Sequence, residues 1–186
     1  MAVFPRWTII APTRNWMNAM QTFEPPFSHY LWAAIGWLEL GTPAEARAEL
    51  AKLAPSWQNH PATLEVRWAI AAHEKNWDEA LQLAREMIRR APERSSGLLH
   101  QAYALRRVAG GSVEQAWDAL LPANEKFPKE PVIPYNLSCY ACQMRRLVEA
   151  RDWFRRAIKV GSKENIKQMA LNDEDLKPLW EEIRQL

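Results

Sequence analysis

The chain has 186 residues, of which 48% are hydrophobic and 25% are charged, a composition that can bury a core and excludes a disordered chain. Its net charge of +2 is too small to predict a nucleic-acid-binding protein, because such proteins concentrate basic residues on one face. Its two cysteines cannot form a disulfide framework, and Pro5 and Pro12 interrupt the early apolar stretch, so we expect a soluble, cytoplasmic protein that does not span a membrane.

Residues 1–26 differ from the rest of the chain. Prolines on both sides bracket a predicted short helix, residues 14–23, in which four large apolar side chains recur at helical spacing: Trp16, Met17, Met20 and Phe23. This pattern predicts an N-terminal cap that packs over the first repeat. The alternative is an exposed arm that docks a partner or fills the protein's own groove.

Beyond residue 26, an alanine recurs at intervals of 34, 36 and 34 residues: Ala46, Ala80, Ala116 and Ala150. Four positions after three of these alanines stands a larger apolar residue, Leu50, Leu120 or Phe154. Ala84 stands at that position in the second repeat. A period of this length is typical of stacked helix pairs, and it disfavours a globular core wrapped around an active site.

Each repeat is predicted to be two helices joined by a turn. In repeat one the first helix is predicted at 27–40 and the second ends at 53; in repeat two the helices are predicted at 61–74 and 77–90. In repeat three the first helix begins near residue 95, a turn follows at 110–112, and the second helix is predicted at 113–126. In repeat four the helices are predicted at 134–145 and 148–160. Thr42 is predicted to cap the second helix of repeat one. Pro122 should kink or shorten the second helix of repeat three, and Gly161 should end the second helix of repeat four.

Two short helical patterns follow Gly161, at residues 163–171 and 173–186. The last repeat of a stacked array has no neighbour to bury its apolar side, so these segments are predicted to be its cap. The predicted organisation is therefore an N-terminal arm or cap at 1–26, four repeats at 27–160 and C-terminal capping helices at 161–186.

The repeats resemble the tetratricopeptide repeat, which has small and aromatic residues in its first helix, two alanines in its second and a closing proline. Repeat four matches at residues 135–141 and at Leu147, Ala150, Phe154 and Ala157. Repeat one matches at Tyr30, Ala33, Ala34, Trp37, Gly41, Ala46 and Leu50. Other families of short helical-pair repeats fit less well in period and glycine usage.

Two repeats depart from this pattern. In repeat two, Arg67 and Trp68 stand where leucine and a small residue are usual, which favours a displaced first helix. Repeat three is two residues longer than its neighbours. Placing the insertion at Gly110-Gly111 puts four apolar side chains on its inward face: Leu98, Ala102, Leu105 and Val108.

The resemblance covers residues 27–160 and implies an all-α, right-handed superhelix of antiparallel helix pairs. It implies a non-enzymatic adaptor that binds a peptide segment of another protein in a concave groove lined by the first helices. The groove positions that carry over are Leu31, Ile35, Leu38, Glu65, His73, Leu99, Tyr103, Arg106, Arg107, Tyr135, Cys139 and Gln143.

A groove with these residues is apolar with aromatic rims and one basic pair, Arg106-Arg107. It suits a segment with apolar anchors and an acidic residue. The alternative is a groove covered by the N-terminal arm or by a second copy of the chain. The lysine, asparagine and arginine clamp of the chaperone-tail-binding members is missing, since Leu31, Ile35 and Val66 stand at its positions and only Asn136 matches.

The sequence predicts no catalytic or redox activity for this chain. Cys139 and Cys142 have C-x-x-C spacing, but they lie in the middle of a predicted helix and lack two further zinc ligands. We expect no metal, no cofactor and no nucleic-acid partner. The alternatives to a peptide-binding adaptor are a module that forms homo-oligomers, a secretion-chaperone-like protein, and a redox or metal role for the cysteine pair.

Overall fold

The structure, a computed structural model, describes residues 24–186, and the helix predicted at residues 14–23 lies outside them. Within residues 24–186 the chain is helical and contains no strand. None of the helices in this part of the chain is long and apolar enough to cross a lipid bilayer. The chain divides between Ala109 and Gly110 into two compact units, called here the N-terminal and C-terminal units.

The N-terminal unit holds repeats one and two and the first helix of repeat three. Its helices are α1 (Phe27–Glu39), α2 (Pro43–Ala51), α3 (Pro61–His73), α4 (Trp77–Arg90) and α5 (Ser96–Leu105), with a short 3-10 helix at Pro55–Trp57. Each helix packs against the next one along the chain, and α1 also contacts α3.

The C-terminal unit holds the rest of repeat three, repeat four and the end of the chain. Its helices are α6 (Val113–Leu120), α7 (Ala123–Lys126), α8 (Val132–Gln143), α9 (Leu147–Val160), α10 (Lys163–Ala170), a 3-10 helix (Glu174–Leu179) and α11 (Trp180–Gln185). The break expected at Pro122 is confirmed, because α6 ends just before it and α7 starts just after it. The last predicted helix, 173–186, is instead a 3-10 helix followed by α11.

The same backbone turn joins the two helices in repeats one, two and four. It is built on a residue in the left-handed region: Gly41 at φ 79°, Lys75 at φ 58° and Arg145 at φ 60°. In each repeat the next residue's N–H donates to the carbonyl oxygen five residues earlier, at 2.8–3.0 Å. This bond is the Schellman motif, which satisfies carbonyl groups at the end of a helix. Three repeats thus share one turn despite different residues at its centre.

Repeat three has a longer turn. Gly110 is again left-handed, at φ 74°, but the helix before it ends at Leu105 and the helix after it is capped by Ser112. The 34-residue spacing between Gly41 and Lys75 would place the next left-handed residue at 109, so one extra residue precedes Gly110, and Gly111 is the other. The buried positions of α5 follow those of α3 at an interval of 34 residues, as Ala102 follows Trp68 and Ala104 follows Ile70. The insertion therefore lies in the turn and leaves the register of α5 unchanged.

The four repeat alanines are fully buried. The N–H of each donates to the carbonyl oxygen four residues earlier, at 2.9–3.2 Å, so all four second helices begin in the same register. Asn76 and Ser112 cap their helices through side-chain oxygens. The cap predicted at Thr42 is wrong: its side chain makes no capping bond, and its hydroxyl donates to the Trp37 carbonyl at 2.8 Å.

Repeat two packs its unusual residues together. Trp68 is fully buried in a cluster that also contains Ala80 and Ala84. The other repeats have a small residue at the position of Trp68 and a large one at the position of Ala84, so the two substitutions offset each other in volume. The turn after α3 matches those of repeats one and four, and the structure therefore shows no displacement of α3 at its C-terminal end.

Candidate functional site

The predicted groove residues differ in exposure. Leu31, Tyr135 and Cys139 are buried, so these three side chains offer no open surface to a ligand in this structure. Gln143 is exposed. The remaining residues are half-buried: Ile35, Leu38, Glu65, His73, Leu99, Tyr103, Arg106 and Arg107. Ile35 and Leu38 pack against the apolar core of the N-terminal unit, on the same cluster that contains Leu31.

Two of these half-buried residues, Tyr103 and Arg107, belong to an aromatic cluster, defined here as Trp68, Trp77, Tyr103 and Arg107. The rings of Trp68 and Tyr103 contact edge to face, with centroids 5.9 Å apart. Trp77, at the start of α4, lies 5.9 Å from Tyr103 in a tilted arrangement. Such aromatic contacts add to the energy of apolar burial and fix the orientation of the rings. The cluster therefore holds Tyr103 in one place on α5.

Arg107 completes the cluster from the turn after α5. Its guanidinium lies 3.4 Å from the centroid of the Tyr103 ring and 5.4 Å from that of Trp77. One guanidinium nitrogen, Nη1, donates to the backbone carbonyl of Tyr103 at 2.9 Å. Because α5 ends at Leu105, this side chain can fold back over the last turn of the helix. A cation held over two aromatic rings is attracted by their electron-rich faces.

A buried acid–histidine pair lies beside the cluster. Glu65 Oε2 on α3 is 2.7 Å from His100 Nε2 on α5, and the two side chains are 13% and 8% exposed. The His100 ring also stacks on Trp68, with centroids 3.8 Å apart and planes 7° from parallel. Burial opposes ionisation of Glu65, but His100, a hydrogen bond from Ser96 and the charge of Arg94 outweigh it and lower the pKa of this carboxyl. Glu65 is therefore ionised at neutral pH.

Two nitrogen atoms in this region are buried without a hydrogen bond to any described residue. They are Trp68 Nε1 and His100 Nδ1. Buried polar atoms in folded proteins nearly always have a partner, and leaving one unpaired costs about 1–3 kcal/mol. Such a departure is typical of functional sites, where local rules are broken for a purpose other than stability.

Sequence reasoning missed the two residues that connect the predicted positions. The sequence marks Trp68 only as a departure from the repeat pattern, and it gives no role to His100. A signal for Trp68 was present, because Ala84 is small where the other repeats have a large residue. Nothing in the sequence pairs Glu65 with His100, since that contact depends on how α3 and α5 lie against each other.

In the C-terminal unit, the chain itself covers two of the three predicted groove positions, Tyr135 and Cys139. The Tyr135 hydroxyl donates to Asp173 Oδ2 at 2.9 Å, and Cys139 Sγ lies 3.5 Å from the same oxygen. Asp173 belongs to the segment that follows α10, and this segment also buries Leu176 and Leu179. Repeat four therefore presents Tyr135 and Cys139 to its own chain.

The two cysteines are packed as small apolar side chains. Cys139 is 2% exposed and Cys142 is 4% exposed. Burial, with a contribution from Asp175, raises the pKa of the Cys142 thiol to about 11, and a protonated, inaccessible thiol is a poor nucleophile and metal ligand. Within residues 24–186, no group of three or more His, Cys, Asp or Glu side chains is arranged to hold a metal ion.

The aromatic cluster is therefore the part of the described chain best suited to contact another molecule. It combines half-buried Trp77, Tyr103 and Arg107 with rigid support from Trp68 and His100 beneath them. Aromatic residues and arginine are enriched among the side chains that dominate binding energy at protein interfaces. No protein-family model matches the chain, and no curated protein matches it.

Proposed function

We propose that this protein is a non-enzymatic adaptor of the tetratricopeptide type, built as a right-handed superhelix of helix pairs. Two features support the proposal: the four fully buried alanines at nearly constant spacing, and the identical turns at Gly41, Lys75 and Arg145. A backbone turn that recurs with different side chains is what a repeat architecture would produce. The adaptor binds an extended or helical segment of another protein on the face formed by α3 and α5.

The aromatic cluster is the observation on which this binding role depends. Tyr103 and Arg107 were both predicted as groove residues, and they stack on each other at a half-buried surface. A ligand with a large apolar side chain would pack on the exposed part of Trp77 and Tyr103. An acidic residue beside it would gain a charge-assisted hydrogen bond from Arg107 or Arg106. The preferred ligand is therefore an apolar segment with one acidic residue.

The test is to select peptides from a random display library on the wild-type protein and to measure their Kd by calorimetry. Tyr103→Ala should weaken binding about 30-fold, the loss expected for an aromatic hot spot worth about 2 kcal/mol. Arg107→Gln should weaken mainly those peptides that carry an acidic residue. Tyr103→Phe and Arg85→Gln are the controls, since the first keeps the ring and the second removes an exposed arginine of α4.

Binding that is equal in wild type and Tyr103→Ala, with both proteins folded, would show that the ligand face lies elsewhere. Circular dichroism and a thermal melt of each variant establish the folded state. Chemical-shift changes confined to α3, α4 and α5 on peptide addition would identify the face directly.

A second candidate function is homo-oligomerisation. Trp37 is 38% exposed and Leu40 is 73% exposed, and these residues stand three positions apart near the end of α1. Exposed apolar side chains on one side of a helix are typical of contact surfaces. Light scattering over a dilution series would decide the question, because a strict monomer at high concentration excludes this function.

A further inference from the structure

The last sixteen residues of the chain form a segment that closes over α8. The segment, residues 171–186, is called here the C-terminal cover; it contains the second 3-10 helix and α11. Its apolar contribution comes from Leu176, Leu179 and Ile183, which are all buried. The 3-10 helix packs against both α8 and α9, and α11 packs against α10. The cover thus occupies the side of repeat four on which a further repeat would stack.

A surface ion pair supports this comparison with a further repeat. In repeat one, Arg47 follows the repeat alanine and bonds to Glu74 and Glu79 of repeat two. In repeat four, Arg151 follows the repeat alanine and bonds to Glu182 of α11 through two nitrogen atoms, at 2.7–2.9 Å. The same repeat position therefore holds the next element in both places. Because the Arg151 pair is exposed, it contributes little to docking.

The buried polar contact of the cover is different in kind. Asp173 is only 8% exposed, and its carboxylate receives the Tyr135 hydroxyl, the Cys139 thiol and the Asp175 N–H. All three groups are neutral. A carboxylate taken out of water needs a positive partner to recover its solvation, and neutral donors recover only part of it.

We propose that the C-terminal cover is a pH-sensitive lid on α8 whose docking weakens as Asp173 ionises, because its three neutral donors replace only part of the water that solvates a carboxylate. Opening would expose Tyr135 and Cys139, the two positions of repeat four that the cover now hides. The lid thereby adds a means of controlling access to α8, separate from binding at the aromatic cluster.

The surrounding charges agree with this direction. Burial and the nearby Asp175 raise the pKa of Asp173, and the bonds from Tyr135, the Asp175 N–H and Cys139 offset them only in part. The other ionisable groups facing this region are Cys142 on α8, Arg151 on α9 and Glu182 on α11, and the last two bond to each other. A raised pKa stabilises the closed state below the ordinary carboxyl pKa. This stabilisation is lost as the pH rises through the raised value.

Amide hydrogen exchange of the full chain between pH 4 and pH 8 tests the lid. After correction for intrinsic exchange, opening of residues 171–186 should increase with pH, by about tenfold for each unit by which the Asp173 pKa exceeds its ordinary value. Asp173→Asn should remove this dependence. Glu174→Gln is the matched control, because it removes an exposed carboxylate from the neighbouring position and should keep the dependence.

Tyr135→Phe is a second variant that tests the proposal even if Asp173→Asn fails to fold. It removes a donor that favours the ionised carboxyl, so the pH dependence should become steeper while the buried ring remains. Opening that does not change with pH in wild type, or a dependence that persists in Asp173→Asn, would overturn the proposal. Exchange that rises equally at α10 and across α8 and α9 would also overturn it, because the whole unit would then be unfolding.

Discussion

Equivalent positions in repeats two and four are 70 residues apart, and one pair of them makes buried polar contacts of opposite electrostatic character. Glu65 of repeat two corresponds to Tyr135 of repeat four, and each takes part in a buried polar contact. At Glu65 the carboxylate meets a histidine, and its pKa is lowered although burial opposes this. At Tyr135 the partner is Asp173, whose contacts are neutral and whose pKa is raised by burial.

The packing around these contacts differs in the same way. Repeat two has Trp68 and Ala84 where repeat four has Ser138 and Phe154. Ser138 is small enough for α8 and α9 to approach closely, and its hydroxyl donates to the Ala150 carbonyl at 2.8 Å. Trp68 instead reaches toward α5 and stacks on His100. The repeat thus determines the backbone, while a few side chains determine whether a face binds its own chain or remains partly open.

Removing the large side chain of repeat two should have the largest effect on stability. Trp68→Ala is expected to cost about 3–5 kcal/mol, because it deletes a fully buried aromatic ring and leaves a cavity. Adding Ala84→Leu should recover part of this loss, because the repeats with a small residue at the position of Trp68 have a larger residue at the position of Ala84. Urea unfolding of the two single variants and the double variant measures the coupling.

A coupling energy near zero would contradict the hypothesis that the large Trp68 side chain and the small Ala84 side chain compensate each other in volume. In that case Trp68 and Ala84 would be independent departures from the repeat. Ala84→Leu alone should be destabilising by about 1–3 kcal/mol, because it adds volume to a cluster that Trp68 already fills.

The acid–histidine pair should show the next largest effect. His100→Phe keeps a ring against Trp68 but leaves the largely buried Glu65 carboxylate without its hydrogen-bond partner, and the expected loss is about 3 kcal/mol. Ionised Glu65 stabilises the wild-type fold above the ordinary carboxyl pKa, and this contribution is lost as the pH falls through the lowered value. Unfolding free energies between pH 3 and pH 7 should therefore rise with pH in wild type and rise less in His100→Phe.

The matched comparison is Asp173→Asn in the C-terminal unit. Because the pKa of Asp173 is shifted upward, replacing it should increase stability at neutral pH relative to acid pH, the opposite of the effect at His100. If both variants changed the pH profile in the same direction, the contrast between the two buried carboxylates would be wrong.

The sequence predicted the helices and their turns well, because these depend on local signals. Pro122 breaks a helix as expected, and helices form near the predicted ranges of the four repeats, since proline chemistry and helical periodicity act over a few residues. Contacts between distant residues were not predictable in this way. Glu65 meets His100 across 35 residues and Tyr135 meets Asp173 across 38 residues, and neither pair follows from spacing.

The smallest predicted effect concerns the turn that repeats two and four share. Lys75 and Arg145 have left-handed φ values, which cost a non-glycine residue about 1 kcal/mol, whereas Gly41 adopts the same conformation without that cost. Lys75→Gly and Arg145→Gly should each stabilise the protein by about 0.5 kcal/mol, because the greater freedom of glycine in the unfolded chain offsets part of the gain. Gly41→Ala should destabilise it by about 1 kcal/mol, and since no atom lies within 4 Å of the added Cβ, that loss would arise from the backbone alone. Denaturant midpoints of the three variants measure these changes. Loss of stability in both glycine variants would mean that the side chains of Lys75 and Arg145 contribute more than their strained backbone costs.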